Sequence, residues 1–321
     1  MIDLNEHSSL ETLHSLPVWK TNEKLISAEP AGESNMNLVL RITTNLKSVI
    51  LKQSKPYVRK FPQIPAPIER IEIEHTYYQL LQGDKILRKY SPGILLYYPK
   101  EHILLMEDLG NGSDFAAFYQ SNINLNPEDV TSLSNYLHAL HQLEITHFPD
   151  NSAMKRLNHE HIFRFPFMME NGFDLDSVQA GLQRISLEYK ADSKLKQAIE
   201  KLGERYLTDG NTLLHGDFYP GSWLKAADGL KVIDPEFGFM GDREFDLGVL
   251  FAHLDLAQQG EDVKLAFLKQ YQHPVSQELL NAYQGVEILR RLLGIAQLPV
   301  GLDLNQKKTL LEKAKTLILS Q

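Results

Sequence analysis

Alternating apolar and polar positions dominate the first third of the chain. The runs "LVLRI" from Leu38, "SVILKQ" from Ser48, "GILLYYP" from Gly93 and "HILLMEDL" from His102 predict strands of an antiparallel sheet. Between the second and third of these, "PAPIERIEIEHTYYQLLQG" opens with prolines, sets apolar groups at Ile68, Ile71, His75/Tyr78 and Leu81, and ends at Gly83. That spacing predicts one helix packed on the sheet. From Asn126 the period changes. "NPEDVTSLSNYLHALHQLEI" has Asn126 as N-cap and Pro127 at the first helical position, with Leu133, Leu137, Leu140 and Leu143 on one side. The expected class is therefore α+β in two lobes. Residues 1–108 form a sheet with a helix, residues 109–321 are mainly helical, and the polar stretch from Leu109 to Asn126 is the hinge.

One short stretch in the second lobe breaks the helical pattern. In "LLHGDFYPGSWLKAADGLKVIDPEFGF", Ala226 to Gly229 is a turn signal between the runs Ser222–Lys225 and Leu230–Ile233. Folding that hairpin brings Asp217 and Ser222 toward Asp234, with Glu236 two residues on. A carboxylate beside separate oxygen ligands suits magnesium-assisted phosphoryl transfer, in which hard oxygens hold Mg²⁺ and a base orients a substrate hydroxyl. The spacing from His215-Gly216-Asp217 to Ser222 equals that of a kinase catalytic loop with Ser in place of Asn. Asp217 is thus the candidate base, and Ser222, Asp234 and Glu236 are the candidate metal ligands. His215 is read as a brace for the loop, His138 and His141 as packing residues, and Asp246 as an N-cap that could also tether the loop.

This chemistry requires a phosphate-anchoring lysine in the first lobe. Lys52, in "VILKQ", lies on a predicted strand where one belongs. The polar turn "PAGESNMN", Pro30 to Asn37, precedes it, and its residues Ser34 and Asn35 can offer backbone NH groups to phosphates. The lysine needs a carboxylate partner on the helix, for which Glu72 and Glu74 are the candidates and Glu74 is better placed. Met106, Glu107 and Asp108 end a strand at the lobe junction, where backbone groups can meet an adenine.

Composition narrows the classes further. At 43% hydrophobic and 23% charged, 321 residues suffice for two lobes with a substantial core. A net charge of -8 without a Lys/Arg block argues against nucleic acid or an anionic membrane as partner. The chain has no Cys, which excludes disulfides, thiolate nucleophiles and Cys-ligated zinc and suits a reducing cytoplasm. The start "MIDLNEHSSL" has neither a basic nor an apolar run, and no stretch approaches the roughly 20 apolar residues of a membrane span. A cytoplasmic protein is expected.

These segments together resemble the aminoglycoside phosphotransferase and choline kinase-like family of small-molecule kinases, most closely its methylthioribose kinase branch. "HGD…GS" and "IDPEFGFMGDREFDLG" are similar to that branch's catalytic and metal segments, "KQSKPYVRK" to its lysine strand, "ESNMNLVLR" to its phosphate loop and "MEDL" to its linker. "EILRRLLGIAQL" is similar to its arginine-pair helix, while Ser34 stands where the family tends to have a second glycine. The resemblance implies a protein-kinase-like bilobal fold, with ATP and Mg²⁺ as cofactors. It gives Asp217 as base, Ser222, Asp234 and Glu236 as the magnesium shell, and Lys52 as the phosphate contact. Arg290 and Arg291 would meet the sugar hydroxyls or the phosphate. It also implies a homodimer, and a reaction from 5-methylthioribose to its 1-phosphate in methionine salvage. Two alternatives stay open: a kinase for another small alcohol such as an aminoglycoside, choline or a homoserine-like acceptor, and a nucleotide-binding regulator without catalysis.

Overall fold

The computed structural model describes residues 2–32, 34–110, 112–120 and 124–320. Two compact units divide the chain. The first comprises Met1–Ser113 and Lys225–Phe237, the second Asp114–Leu224 and Gly238–Gln321. The segment that carries Asp234 and Glu236 thus belongs to the first unit, although it lies more than a hundred residues beyond the rest of it in the chain.

The first unit is built on a five-stranded antiparallel sheet. Its strands are β1 (Leu25–Pro30), β2 (Leu38–Thr44), β3 (Ser48–Gln53), β6 (Ile94–Tyr98) and β7 (Ile103–Glu107), in the order β1-β2-β3-β7-β6. A small pair, β4 (Tyr57–Val58) and β5 (Phe61–Pro65), precedes helix α2 (Arg70–Gly83). All four runs read as strands from their alternation are strands. In β2, Leu38, Leu40 and Ile42 are buried on one side, and Val49 and Leu51 of β3 join them in a core with Ile103 and Leu105. The short helix α1 (Leu10–His14) adds Leu13 to that face. Because successive strand residues point to opposite faces, Lys52 shares the face opposite to Val49 and Leu51.

Helix α2 ends at Gly83 as expected but starts only at Arg70, since Pro65 and Pro67 hold the preceding backbone extended. Its inward face also differs from the apolar spacing. Ile71, Ile73, Tyr77, Tyr78 and Leu81 are buried, and so are Arg70 and Glu74, whereas His75 is only partly covered. A polar stripe on a buried face mimics a solvent-exposed one in sequence, which is why the period reads imperfectly.

The second unit is mainly helical. It holds β8 (Ser113–Asp114, shared at the boundary), α3 (Pro127–Gln142), α4 (Ser152–His159), α5 (Leu182–Ala191), α6 (Ser193–Leu207), α7 (Glu244–Leu256), α8 (Glu261–Tyr271), α9 (Gln277–Leu293) and α10 (Leu304–Leu319). A strand β9 (Thr212–Leu214) pairs with β12 (Phe239–Gly241). Between them in the chain come β10 (Trp223–Ala226), which crosses the unit boundary, and β11 (Gly229–Val232) of the first unit, adjacent strands where the hairpin was expected. Helix α3 starts as its sequence dictates, with the Asn126 side chain accepting from the Asp129 NH at 2.8 Å and Pro127 at the first position. Leu133, Leu137 and Leu140 are buried, and Leu143 caps the C-terminus. Among the described residues no helix is long and apolar enough to cross a membrane. Of the expected hinge, Asn111 and Ser121–Ile123 lie outside the described residues.

Helices α7 and α9 form the spine of this unit, and they approach closely because Gly248 has no side chain. A Cβ there would lie 2.6 Å from the Cβ of Tyr283 and 2.8 Å from the backbone nitrogen of Gln284. Gly248→Ala should therefore lower unfolding free energy by roughly 1–3 kcal/mol, read as a lower urea midpoint. An unchanged midpoint would mean that α7 and α9 do not pack at this distance.

Candidate active site

In the first unit the charged groups converge on the segment Asp234-Pro235-Glu236. Lys52 is fully buried, its ammonium 2.7 Å from Glu74 and also hydrogen-bonded to Asp234. Glu74, and not Glu72, is its helical partner. Burial alone would depress the Lys52 ammonium, but the carboxylates of Asp234, Glu74 and Glu236 outweigh it and push its pKa up. Asp234 keeps 45% of its side chain exposed, while Glu236 is almost wholly covered at 5%. Glu236 accepts from the Asn37 amide at 2.8 Å and pairs with Arg70 at 3.2 Å. Asp234 lies at φ +62°, in the left-handed region that Asp tolerates better than most residues. Its NH donates to the Tyr78 hydroxyl at 3.2 Å. Arg70, Glu74 and Tyr78 recur every four residues along α2, so one helical stripe holds this whole segment.

The β1–β2 loop is closed by its own chain. Ser34 Oγ accepts from the Asn37 NH at 3.2 Å, the Ser34 carbonyl accepts from Arg59, and the Asn35 carbonyl accepts from the Lys60 NH. Glu33 of this loop lies outside the described residues. At the end of β7, Met106 is buried and pairs with Ile50 and Ile94 on either side. The Glu107 NH donates to the Gly93 carbonyl, and its carboxylate accepts from the Gly93 NH. Asp108 is held by Arg41 at 2.8 Å and by the Ser48 hydroxyl at 2.6 Å. Burial would raise its carboxyl, but these hydrogen bonds keep it below the usual range.

The second unit builds a separate charged centre around Asp217. Gly216, at φ +81°, supplies the left-handed turn that a side chain would resist. The loop after it is closed by Ser222, whose hydroxyl donates to the Asp217 carbonyl at 2.9 Å. Behind the loop, Asp246 accepts from the NH groups of His215 at 2.7 Å and Gly216 at 3.0 Å. Asp246 is not the N-cap of α7: that helix begins at Glu244, so Asp246 sits in the first turn with its carboxylate turned to the loop. His215 braces the turn, its Nδ1 accepting from the Asp217 NH at 3.3 Å.

Arg290 and Arg291 approach one Asp217 oxygen to 3.7 and 3.5 Å. Adjacent helical residues diverge by about 100°, yet both guanidiniums converge because Glu287 lies three and four positions earlier. Its two oxygens meet Arg290 Nε at 2.6 Å and Arg291 Nε at 2.7 Å. Burial raises the Asp217 carboxyl above the usual carboxylate range against the pull of Arg291 and Arg290. For Glu287 burial is outweighed by the two arginines and His253, and its carboxyl is held well below that range. Arg291 also lies over the Tyr219 ring, 5.0 Å from its centroid.

Sequence reasoning missed Glu287, His253 and Tyr119. His253 Nε2 faces Glu287 at 3.0 Å, and its Nδ1 is hydrogen-bonded to the Tyr119 hydroxyl. A carboxylate only accepts, so the proton is on Nε2 and the tyrosine donates to Nδ1. The same order recurs behind the Asp217 loop, where Tyr271 meets His141 Nδ1 at 2.5 Å and His141 Nε2 faces Asp246 at 3.2 Å. Glu287 had a signal in its spacing to the arginine pair. His253 and Tyr119 had none, because their partners are distant in the chain. The structure therefore brings together Lys52, Glu74, Asp234 and Glu236 in one unit, and Asp217, Ser222, Arg290 and Arg291 in the other.

A sheet-and-helix unit and a helical unit, with these two charged centres, make a protein-kinase-like phosphotransferase fold. The chain belongs to the phosphotransferase enzyme (APH) family, whose profile matches residues 30–286. It is similar to the methylthioribose kinase of Exiguobacterium sibiricum, with 30% identity over 256 residues that cover 72% of this chain and 61% of that one. The chain spans about three-fifths of the length of the curated relatives it matches. Among solved structures it shares its fold with the choline kinase LicA from Streptococcus pneumoniae, at 17% identity and a TM-score of 0.52 over 92% of this chain and 94% of that one. The gentamicin-APH(2")-IIa complex is a further match, at 15% identity and a TM-score of 0.53 over 93% of this chain and 92% of that one.

Burial pushes the His253 imidazole down to about 4 from 6.5, so the ring is uncharged in the folded protein at neutral pH. Between those two values the unfolded chain binds more protons at this residue, and its contribution to stability falls as pH is lowered. Urea midpoints of wild type and His253→Gln across this window test the point. Wild type should lose more stability than the variant as the solution is acidified, and parallel losses would contradict a neutral His253.

Proposed function

We propose that this chain is an ATP-dependent small-molecule kinase that transfers the γ-phosphoryl group to a hydroxyl of a sugar-like acceptor. The acceptor best supported is 5-methylthioribose, giving its 1-phosphate in methionine salvage. The observation that carries the reading is the Arg290–Arg291 pair beside Asp217: a carboxylate able to take a hydroxyl proton stands with two guanidiniums able to bind hydroxyl and phosphoryl oxygens. Cationic acceptors such as choline or an aminoglycoside would meet like charge there. The kinship to methylthioribose kinases favours the same acceptor.

In this reading Asp217 orients the acceptor hydroxyl and accepts its proton as the new P–O bond forms and ADP leaves. Its raised pKa brings it nearer the pH at which a general base works best. Lys52, fixed by Glu74, contacts the nucleotide phosphates, with Ser34 and Asn35 of the β1–β2 loop and the end of β7 at Met106, Glu107 and Asp108 completing the nucleotide site. Magnesium, when bound, offsets phosphate charge. Among the described residues no group of three or more His, Asp or Glu is assembled as a metal site. Two carboxylates, Asp234 and Glu236, nevertheless fit an ion that typically keeps waters and takes one or two protein carboxylates plus substrate phosphates. The Ser222 hydroxyl, the third oxygen expected in that shell, donates to the Asp217 carbonyl within its own unit. Cytoplasmic location is supported by the cysteine-free composition, and a homodimer by family resemblance alone.

ADP release from Mg-ATP should be measured with 5-methylthioribose beside ribose, choline and gentamicin. Turnover with methylthioribose is expected, with Asp217→Ala slower by about 10²–10⁴-fold and nucleotide binding retained. Activity in wild type should fall as pH is lowered through the raised Asp217 pKa. Near-normal turnover by Asp217→Ala would overturn the base assignment, and turnover with choline or gentamicin instead would overturn the acceptor.

A further inference from the structure

Arg70 has a position that nothing in helix physics favours. It is the first residue of α2, where the positive end of the helix dipole repels a cation, and it is 0% exposed. What holds it there is a set of acceptors from four separate segments. Nε donates to the Asn37 side-chain oxygen at 2.9 Å, one terminal nitrogen to the carbonyls of Lys55 at 2.7 Å and Pro67 at 2.6 Å, and the other to the Met36 carbonyl at 2.8 Å. Glu236 supplies the opposing charge at 3.2 Å, and Asn37 closes the ring by donating to the same carboxylate at 2.8 Å. One guanidinium thus ties the end of the β1–β2 loop, the exit of the lysine strand and the acidic segment to the start of α2.

We infer that Arg70 is a positioning residue that couples the acidic segment to the β1–β2 loop, so that metal and nucleotide strengthen each other's binding through it. The inference rests on the reading of Asp234 and Glu236 as the metal side of a nucleotide site. The carboxylate that would help hold a divalent cation is already oriented by Arg70 and Asn37, and the same two residues fix the loop that would cover the phosphates. A change at the carboxylate therefore reaches Asn37 directly and Met36 through Arg70. Glu74, one turn further along α2, does the corresponding work for Asp234 through Lys52.

The test compares ADP affinity with saturating Mg²⁺ and with EDTA, by calorimetry, for wild type, Arg70→Met and Asn37→Ser. Wild type should bind ADP more tightly with Mg²⁺. In each folded variant the ratio of the two affinities should shrink by about tenfold, the scale on which residues that orient metal ligands act. A merely structural role would lower thermal stability and shift both affinities together, leaving the ratio unchanged, and that result would overturn the inference. If Arg70→Met does not fold, an unchanged ratio in Asn37→Ser overturns it equally. Failure of wild type to bind ADP at all would instead overturn the nucleotide reading, and this inference with it.

Discussion

The structure of the first unit depends on how one buried ammonium is compensated. Taking Lys52 out of water costs several kcal/mol unless opposite charge and hydrogen bonds meet it. Glu74 and Asp234 meet it, and each is then constrained in turn. Helix α2 must present Glu74 at that turn, which puts Arg70 one turn earlier and Tyr78 one turn later on the same stripe. The acidic segment must arrive with Asp234 in the left-handed region, its NH on Tyr78 and its Glu236 on Arg70. The more exposed Asp234 is left facing solvent, where a ligand can reach it.

The second unit solves a related problem by a repeated device. Two buried carboxylates, Asp246 and Glu287, each hold part of the Asp217 centre, the first through backbone NH groups and the second through guanidiniums. Each is in turn faced by a histidine whose other nitrogen meets a tyrosine hydroxyl. Such an arrangement fixes the histidine tautomer and holds the groups around Asp217 in place. The close approach of α7 and α9 at Gly248 brings His253 and Glu287 to this distance.

Much of this was legible in the chain. Strand alternation gave β2, β3, β6 and β7, and the Asn126-Pro127 start gave α3, because those signals come from local backbone and burial physics. The meeting of Lys52 with Glu74, and of Ser222 with the Asp217 loop, was legible from spacing along strand, helix and loop. Harder to read was the buried polar face of α2: Glu74 was legible as the lysine's partner, but Arg70 was not, and His75 took a place that Ile73 and Tyr77 fill. Asp246 was read as a cap that could also tether the loop; the tether is there, through the NH groups of His215 and Gly216, but the helix starts two residues earlier, so the cap is not. Adjacent helical arginines diverge by geometry, and it is Glu287 that gathers Arg290 and Arg291 onto one Asp217 oxygen.

The central claim is that the Lys52–Glu74–Asp234 cluster is the phosphate end of a nucleotide site. It is tested most directly by titrating Mg-ADP into wild type and Lys52→Met, with folding of both checked by circular dichroism. The account predicts binding by wild type and an affinity at least about tenfold weaker in the variant, the scale of a lost charged hydrogen bond. Equal affinity in a folded Lys52→Met protein would contradict it.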